Sequence, residues 1–339
     1  MKFSASFLVL PLLAAAACDR AADPLSSSAT TRHVAELAAA PAVREGYVTG
    51  AGGVQLFYHV EGSGPDTTVM VSGGPGLSYR YMQPDLGALT RGRTMIYFDQ
   101  RGSGNSTIIH DPAQLTPALQ VADIEAVRQH FGIDRMQLAG HSAGANFAAL
   151  YAAAYPQHVE RLLLLDPGAA SGFYAAEFAQ RRFERTDPAQ FNQQLAWIGA
   201  FLGGQVPDAE AVQTCEALFT SVFTPYFADP ANLAARQGRF CDEPVAQAQN
   251  AVFTLLTGLA AFDGAWDAAP VGAQITAPTL VVYGDADVLS LGNAQHWASS
   301  IAGSRFEVIQ GAGHFPWLEK PAQFNAIVNT FLRRSDVLN

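Results

Sequence analysis

Short apolar runs separated by helical stretches decide what this chain can fold into. The runs lie at 69–71, 95–98, 136–139, 162–165, 280–283 and 306–309. They are continuous rather than alternating, as in parallel strands that helices cover on both faces. Between them, 118–131 places Leu119, Ala122, Ile124, Ala126 and Val127 on one helical face, and 322–332 does the same with Phe324, Ile327, Val328 and Phe331. Ahead of the runs, 47–49 and 54–58 alternate around Gly52-Gly53, which predicts a hairpin. The expectation is an α/β fold with a mostly parallel central sheet and helices on both faces.

The rhythm stops after Asp166. Residues 168–270 are rich in Ala, Phe and Gln and are punctuated by Pro188, Pro207, Pro225, Pro230 and Pro244. A mainly helical lid over 168–270 follows, inserted into a core made of 43–167 and 271–339. The 339 residues suffice for this, and 49% hydrophobic against 15% charged residues argues for a large buried interior. A formal net charge of −10 with no long basic run excludes a nucleic-acid partner.

The first residues, MKFSASFLVLPLLAAAACDR, combine Lys2, an apolar run and small residues before Cys18. This is the pattern of a signal peptide over 1–17, and a small-residue stretch ending at a Cys resembles the bacterial lipoprotein signal. The run is too short for a helix across a bilayer core of about 30 Å. The expectation is an exported, periplasmic or membrane-anchored protein, lipidated at Cys18, with 18–42 as a flexible tether. Export would permit a disulfide between Cys215 and Cys241, and two buried free thiols are the other reading. The eight His show no metal-ligand spacing, so neither a metal nor another cofactor is expected.

Gly140-His141-Ser142-Ala143-Gly144 fits Gly-x-Ser-x-Gly, directly after the run 136–139 and before the helix-prone 145–154. A strand, a sharp turn and a helix make this pattern a nucleophile elbow, which lifts the Ser142 hydroxyl above the sheet edge. The Ala143 N–H at the helix start and the Gly74 N–H in Ser72-Gly73-Gly74-Pro75-Gly76 are the expected oxyanion donors. An elbow takes its acid and base later in the chain. His314 follows the run 306–309, and Gly284-Asp285-Ala286-Asp287 follows 280–283. Asp287 is far enough round its turn to reach the neighbouring strand end, so Ser142, Asp287 and His314 form the expected triad.

Together these motifs resemble the α/β-hydrolase superfamily over 43–335. SGGPGLS at 72–78 and FDQRGSGNS at 98–106 resemble the proline iminopeptidases more narrowly, with Asp99-Gln100-Arg101-Gly102 as scaffold. The resemblance implies an α/β-hydrolase fold, the triad above, and removal of N-terminal residues from short peptides through an acyl-enzyme. Three departures stand out: Ser72 replaces a His, the elbow is GHSAG, and Ala196-Trp197-Ile198-Gly199 lacks the glutamate that the family uses for the substrate ammonium. Glu177, Glu184, Glu210 and Glu216 are the lid acids that could replace it. The alternative is an esterase, lactonase or amidase with the same triad and no free-amine requirement. A non-catalytic binding protein would not need all three triad residues in order, and epoxide or haloalkane hydrolysis would need a carboxylate at position 142. The expected partner is a small molecule or short peptide.

Overall fold

The computed structural model describes residues 43–241 and 244–333. The expected signal peptide, lipidated Cys18 and tether fall outside these residues. The described chain opens with β1 (Val43–Thr49) and β2 (Gln55–Gly62), an antiparallel hairpin. Gly52 and Gly53 turn it with φ of 74° and 84°, a region that residues with a Cβ rarely enter. Next come β3 (Asp66–Val71), β4 (Arg93–Phe98), α1 (Pro117–His130), β5 (Met136–His141), α2 (Ala143–Ala154) and β6 (Val159–Leu165). Four long helices follow: α3 (Gly172–Arg185), α4 (Pro188–Leu202), α5 (Asp208–Phe223) and α6 (Val245–Leu259). The chain then runs through α7 (Ala269–Gly272), β7 (Thr279–Gly284), α8 (Leu291–Ser300), β8 (Arg305–Ile309), α9 (Pro316–Glu319) and α10 (Pro321–Leu332).

All eight strands join one sheet in the order β1-β2-β4-β3-β5-β6-β7-β8. It is parallel from β4 to β8 and antiparallel at the hairpin end. Every residue of β4, β5 and β7 is buried, as runs without polar alternation require. Successive residues serve opposite faces: Val69, Val71, Leu138 and Leu164 pack with Val127 and Phe147, whereas Met70, Ala139 and Leu165 pack with Phe324 and Val328. Helices α5 and α6 join the second of these cores through Leu218, Phe219, Ala251 and Val252. Cys215 and Cys241 are joined by a disulfide that ties α5 to the segment before α6.

Asp99-Gln100-Arg101-Gly102 braces the loop after β3. Gln100 Nε2 donates to the Ser72 carbonyl at 2.6 Å, and Asp99 accepts the Tyr79 N–H at 3.1 Å. Ser103 Oγ accepts the Gly76 N–H at 2.8 Å. Arg101 makes a two-pronged ion pair with buried Asp123, with Nε–Oδ2 and Nη2–Oδ1 both at 2.7 Å.

Candidate active site

The turn between β5 and α2 carries Ser142 at φ 54° and ψ −128°, one of two non-glycine residues with positive φ among those described. Strain of this kind persists only where the surroundings enforce it. Here the Ser142 N–H donates to Leu165 at 3.0 Å, and its carbonyl accepts from Ala145 and Gly168, both at 2.9 Å. The flanking positions have no room for side chains. A Cβ on Gly140 would stand 2.4 Å from the Gly144 oxygen, and one on Gly144 would stand 2.2 Å from that of Ser72.

On the loop after β8, His314 is fully buried, and its Nδ1 is 2.8 Å from Oδ2 of equally buried Asp287. The backbone N–H of His314 donates to the Tyr226 carbonyl at 2.8 Å, so the helical insertion helps to hold the loop. Burial disfavours the imidazolium and pushes the His314 pKa down to about 3. The ring is therefore neutral, with the proton on Nδ1 facing Asp287. Nε2, the basic nitrogen, has no hydrogen-bond partner among the described residues.

A second carboxylate joins this pair. Asp166, at the end of β6 with φ 41°, is buried and accepts the Gly284 N–H at 2.8 Å. Donor atoms of Asp166, Asp287 and His314 lie within 4.8 Å of one another. Such a set could ligate a cation, but the contacts within it already occupy His314 Nδ1 and Asp287 Oδ2. Burial raises both carboxyl pKa values well above the ordinary range, and the Asp287 charge raises that of Asp166 further.

Two backbone donors face the same space. The Gly73 N–H donates to the Tyr81 hydroxyl at 2.8 Å, whereas no hydrogen bond among the described residues takes up the N–H of Gly74 or Ala143. Gly74 holds φ 60°, and Ala143 opens α2, where the unsatisfied N–H and the helix dipole favour an anion. The Tyr81 hydroxyl donates to Nδ1 of His141 at 2.5 Å, and His141 Nε2 donates to the His314 carbonyl at 3.0 Å. Burial keeps His141 neutral. Its position under the elbow is structural, and it links the loops of Gly73 and His314.

A cavity of about 300 Å³ brings Gly74, Ser142, Ala143 and His314 together under the helical insertion. Its walls are chiefly apolar, with Phe178, Ile198, Val222, Tyr226, Leu255 and Phe315 among them. Glu177, Glu184 and Glu216 are not among the lining residues, which corrects their expected substrate-binding role. Each is engaged elsewhere: Glu177 accepts from Ser290 at 2.5 Å, Glu184 from Gln180 at 2.8 Å, and Glu216 from Arg236 at 2.5 Å and from the Cys241 N–H at 2.9 Å. Glu210 does not line the cavity either; the charged lining residues besides the histidines are Arg182 and, in an exposed position, Asp263.

The family model for the alpha/beta hydrolase fold matches residues 68–321, three quarters of the chain. The chain belongs to the α/β-hydrolase family. With Ser at the elbow, this α/β-hydrolase is a serine hydrolase, and its sequence resembles the proline iminopeptidases. It is 25% identical to the proline iminopeptidase of Lactobacillus helveticus over 303 residues, covering 84% of this chain and 96% of the relative. Among solved structures, the α/β-hydrolase resembles a proline iminopeptidase of Mycobacterium smegmatis, with a TM-score of 0.62, 26% identity, and coverage of 85% and 97% of the two chains. A thermophilic esterase from Thermogutta terrifontis has the same fold, with a TM-score of 0.64, 21% identity, and coverage of 86% and 98%.

Proposed function

We propose that this serine hydrolase cleaves small, largely apolar esters, lactones or amides through an acyl-enzyme on Ser142. The observation that carries the reading is the buried Asp287–His314 pair, whose free Nε2 shares one cavity with Ser142 and two unoccupied N–H donors. His314 Nε2 takes the Ser142 proton as Oγ attacks the substrate carbonyl carbon, and the carbonyl oxygen gains its negative charge between the Gly74 and Ala143 N–H groups. Asp287 offsets the cost of a buried imidazolium. Collapse breaks the bond to the leaving group, which receives the proton from His314. Water then repeats the sequence on the acyl-enzyme and frees the acid.

Release of N-terminal residues from peptides is the second reading, favoured by the similarity to proline iminopeptidases. It requires a seat for an ammonium group. None of the expected glutamates lines the cavity, and its one acidic side chain, Asp263, is exposed to water, which weakens its hold on a cation. Export remains part of the proposal, supported by the first twenty residues and by the Cys215–Cys241 disulfide.

The test compares a p-nitrophenyl ester with proline p-nitroanilide, with Ser142→Ala as the blank. Ester turnover with little anilide turnover is the expected result. Anilide turnover that vanishes when the proline nitrogen is blocked would instead establish the peptidase reading.

A further inference from the structure

Helix α3 carries three arginines with two destinations. Arg181 donates from Nε to the Val288 carbonyl at 2.7 Å and from Nη2 to that of Asp287 at 3.1 Å, and Arg185 donates to that of Ala286 at 2.8 Å. These two fasten the insertion to the loop that bears Asp287. Arg182 instead lines the cavity that holds Ser142 and His314. Its Nη1 donates to Oε1 of Gln194 at 3.1 Å, and Gln194 is itself fully buried and donates to Ser221 Oγ at 3.0 Å. The guanidinium carbon lies 5.8 Å from the centre of the Phe191 ring. Its hydrogen-bond partner among the described residues is thus a neutral amide, and one donor of five is in use. A half-buried cation against apolar walls, held in place but not neutralised, is arranged to receive an anion, and a planar fork suits a carboxylate.

The geometry points to Arg182 as the seat of a carboxylate carried by the substrate, so that the preferred substrates are acyl compounds with a second, ionised acid group, such as half-esters of dicarboxylic acids. This rests on the reading of Ser142 as the nucleophile. It also gives a physical reason for the missing ammonium seat, because a guanidinium in the cavity repels a substrate cation. Hydrolysis of a half-ester consumes one water and yields the dicarboxylic acid and the alcohol, with no other reactant.

The test measures kcat/KM for p-nitrophenyl hydrogen glutarate and for p-nitrophenyl pentanoate in the native protein, Arg182→Gln and Arg182→Lys. A charge-assisted hydrogen bond contributes roughly 1.5–3 kcal/mol, so the glutarate-to-pentanoate ratio should fall at least about 10-fold in Arg182→Gln, mainly through KM. Arg182→Lys, which retains the charge and loses the fork, should give an intermediate ratio, and it decides the matter if Arg182→Gln does not fold. Turnover of both esters with a ratio that neither variant changes overturns the Arg182 assignment and leaves Ser142 standing. A native protein that hydrolyses neither ester overturns both readings.

Discussion

Asp166 and Asp287 place two fully buried carboxyl groups side by side at the ends of β6 and β7, and only Asp287 is bonded to His314. Two carboxylates cannot both stay ionised at this distance away from water. Asp287 has the better claim to the charge: it accepts the Leu289 N–H at 3.2 Å and the His314 ring at 2.8 Å, and Arg181 and Arg185 lie close enough to favour its anion. Asp166 has the Gly284 N–H alone. The proton accordingly resides on Asp166, beside the Asp287 carboxylate.

Asn in place of Asp166 offers an N–H to Asp287 and an oxygen to Gly284 without needing a proton. Asp166→Asn should therefore keep kcat/KM within a few-fold of the native value, while Asp166→Ala should lose much of it. Stability separates the two forms further. The folded pKa of Asp166 lies above its unfolded value, so its contribution is present at low pH and is lost as pH rises beyond about 4. Relative to the native protein, Asp166→Asn should gain about 1.4 kcal/mol per pH unit while the buried acid still holds its proton. Urea unfolding at several pH values measures this, and a difference independent of pH would contradict it.

Burial sets the working range of the base. Burial pushes the His314 pKa below the ordinary imidazole value, and the ionised Asp287 carboxylate at 2.8 Å opposes that shift. The acid limb of kcat/KM for a neutral ester should have its midpoint below the usual value of about 6.5. A midpoint above 7 would mean that the Asp287 charge outweighs burial.

Arg101 and Asp123 form a buried ion pair, and neither lines the cavity that holds Ser142. Both side chains are essentially inaccessible to water, and removing the cation leaves Asp123 with the Ala51 N–H at 2.9 Å. Arg101→Met should cost about 3–5 kcal/mol in denaturant unfolding, with kcat little changed at temperatures where the variant is folded. Native stability with a collapsed kcat would move Arg101 into the reaction itself.

The sheet was legible because continuous apolar runs have few alternatives once their length and spacing are seen. The elbow was legible because 136–141, the turn at Ser142 and the Ala-rich helix follow one another in the sequence itself. Asp166 was not, since an acid ending a strand reads as an ordinary turn residue until β7 is placed beside β6. Tyr81 escaped for a similar reason: its hydroxyl gains meaning only from Gly73 and His141, eight and 60 positions away. The lid acids could not be placed because sequence spacing does not tell which face of an inserted helix looks into a cavity and which away from it. On α3 that distinction separates Arg182 from Glu177 and Glu184.

The most direct test is to treat the protein with a fluorophosphonate, measure its intact mass and map the label, alongside ester hydrolysis by Ser142→Ala. The prediction is one adduct per chain, on the peptide containing Ser142, with no labelling and at least a ~10³-fold lower kcat in Ser142→Ala. Native-like hydrolysis by Ser142→Ala, or an adduct on another residue, would contradict the role assigned to Ser142.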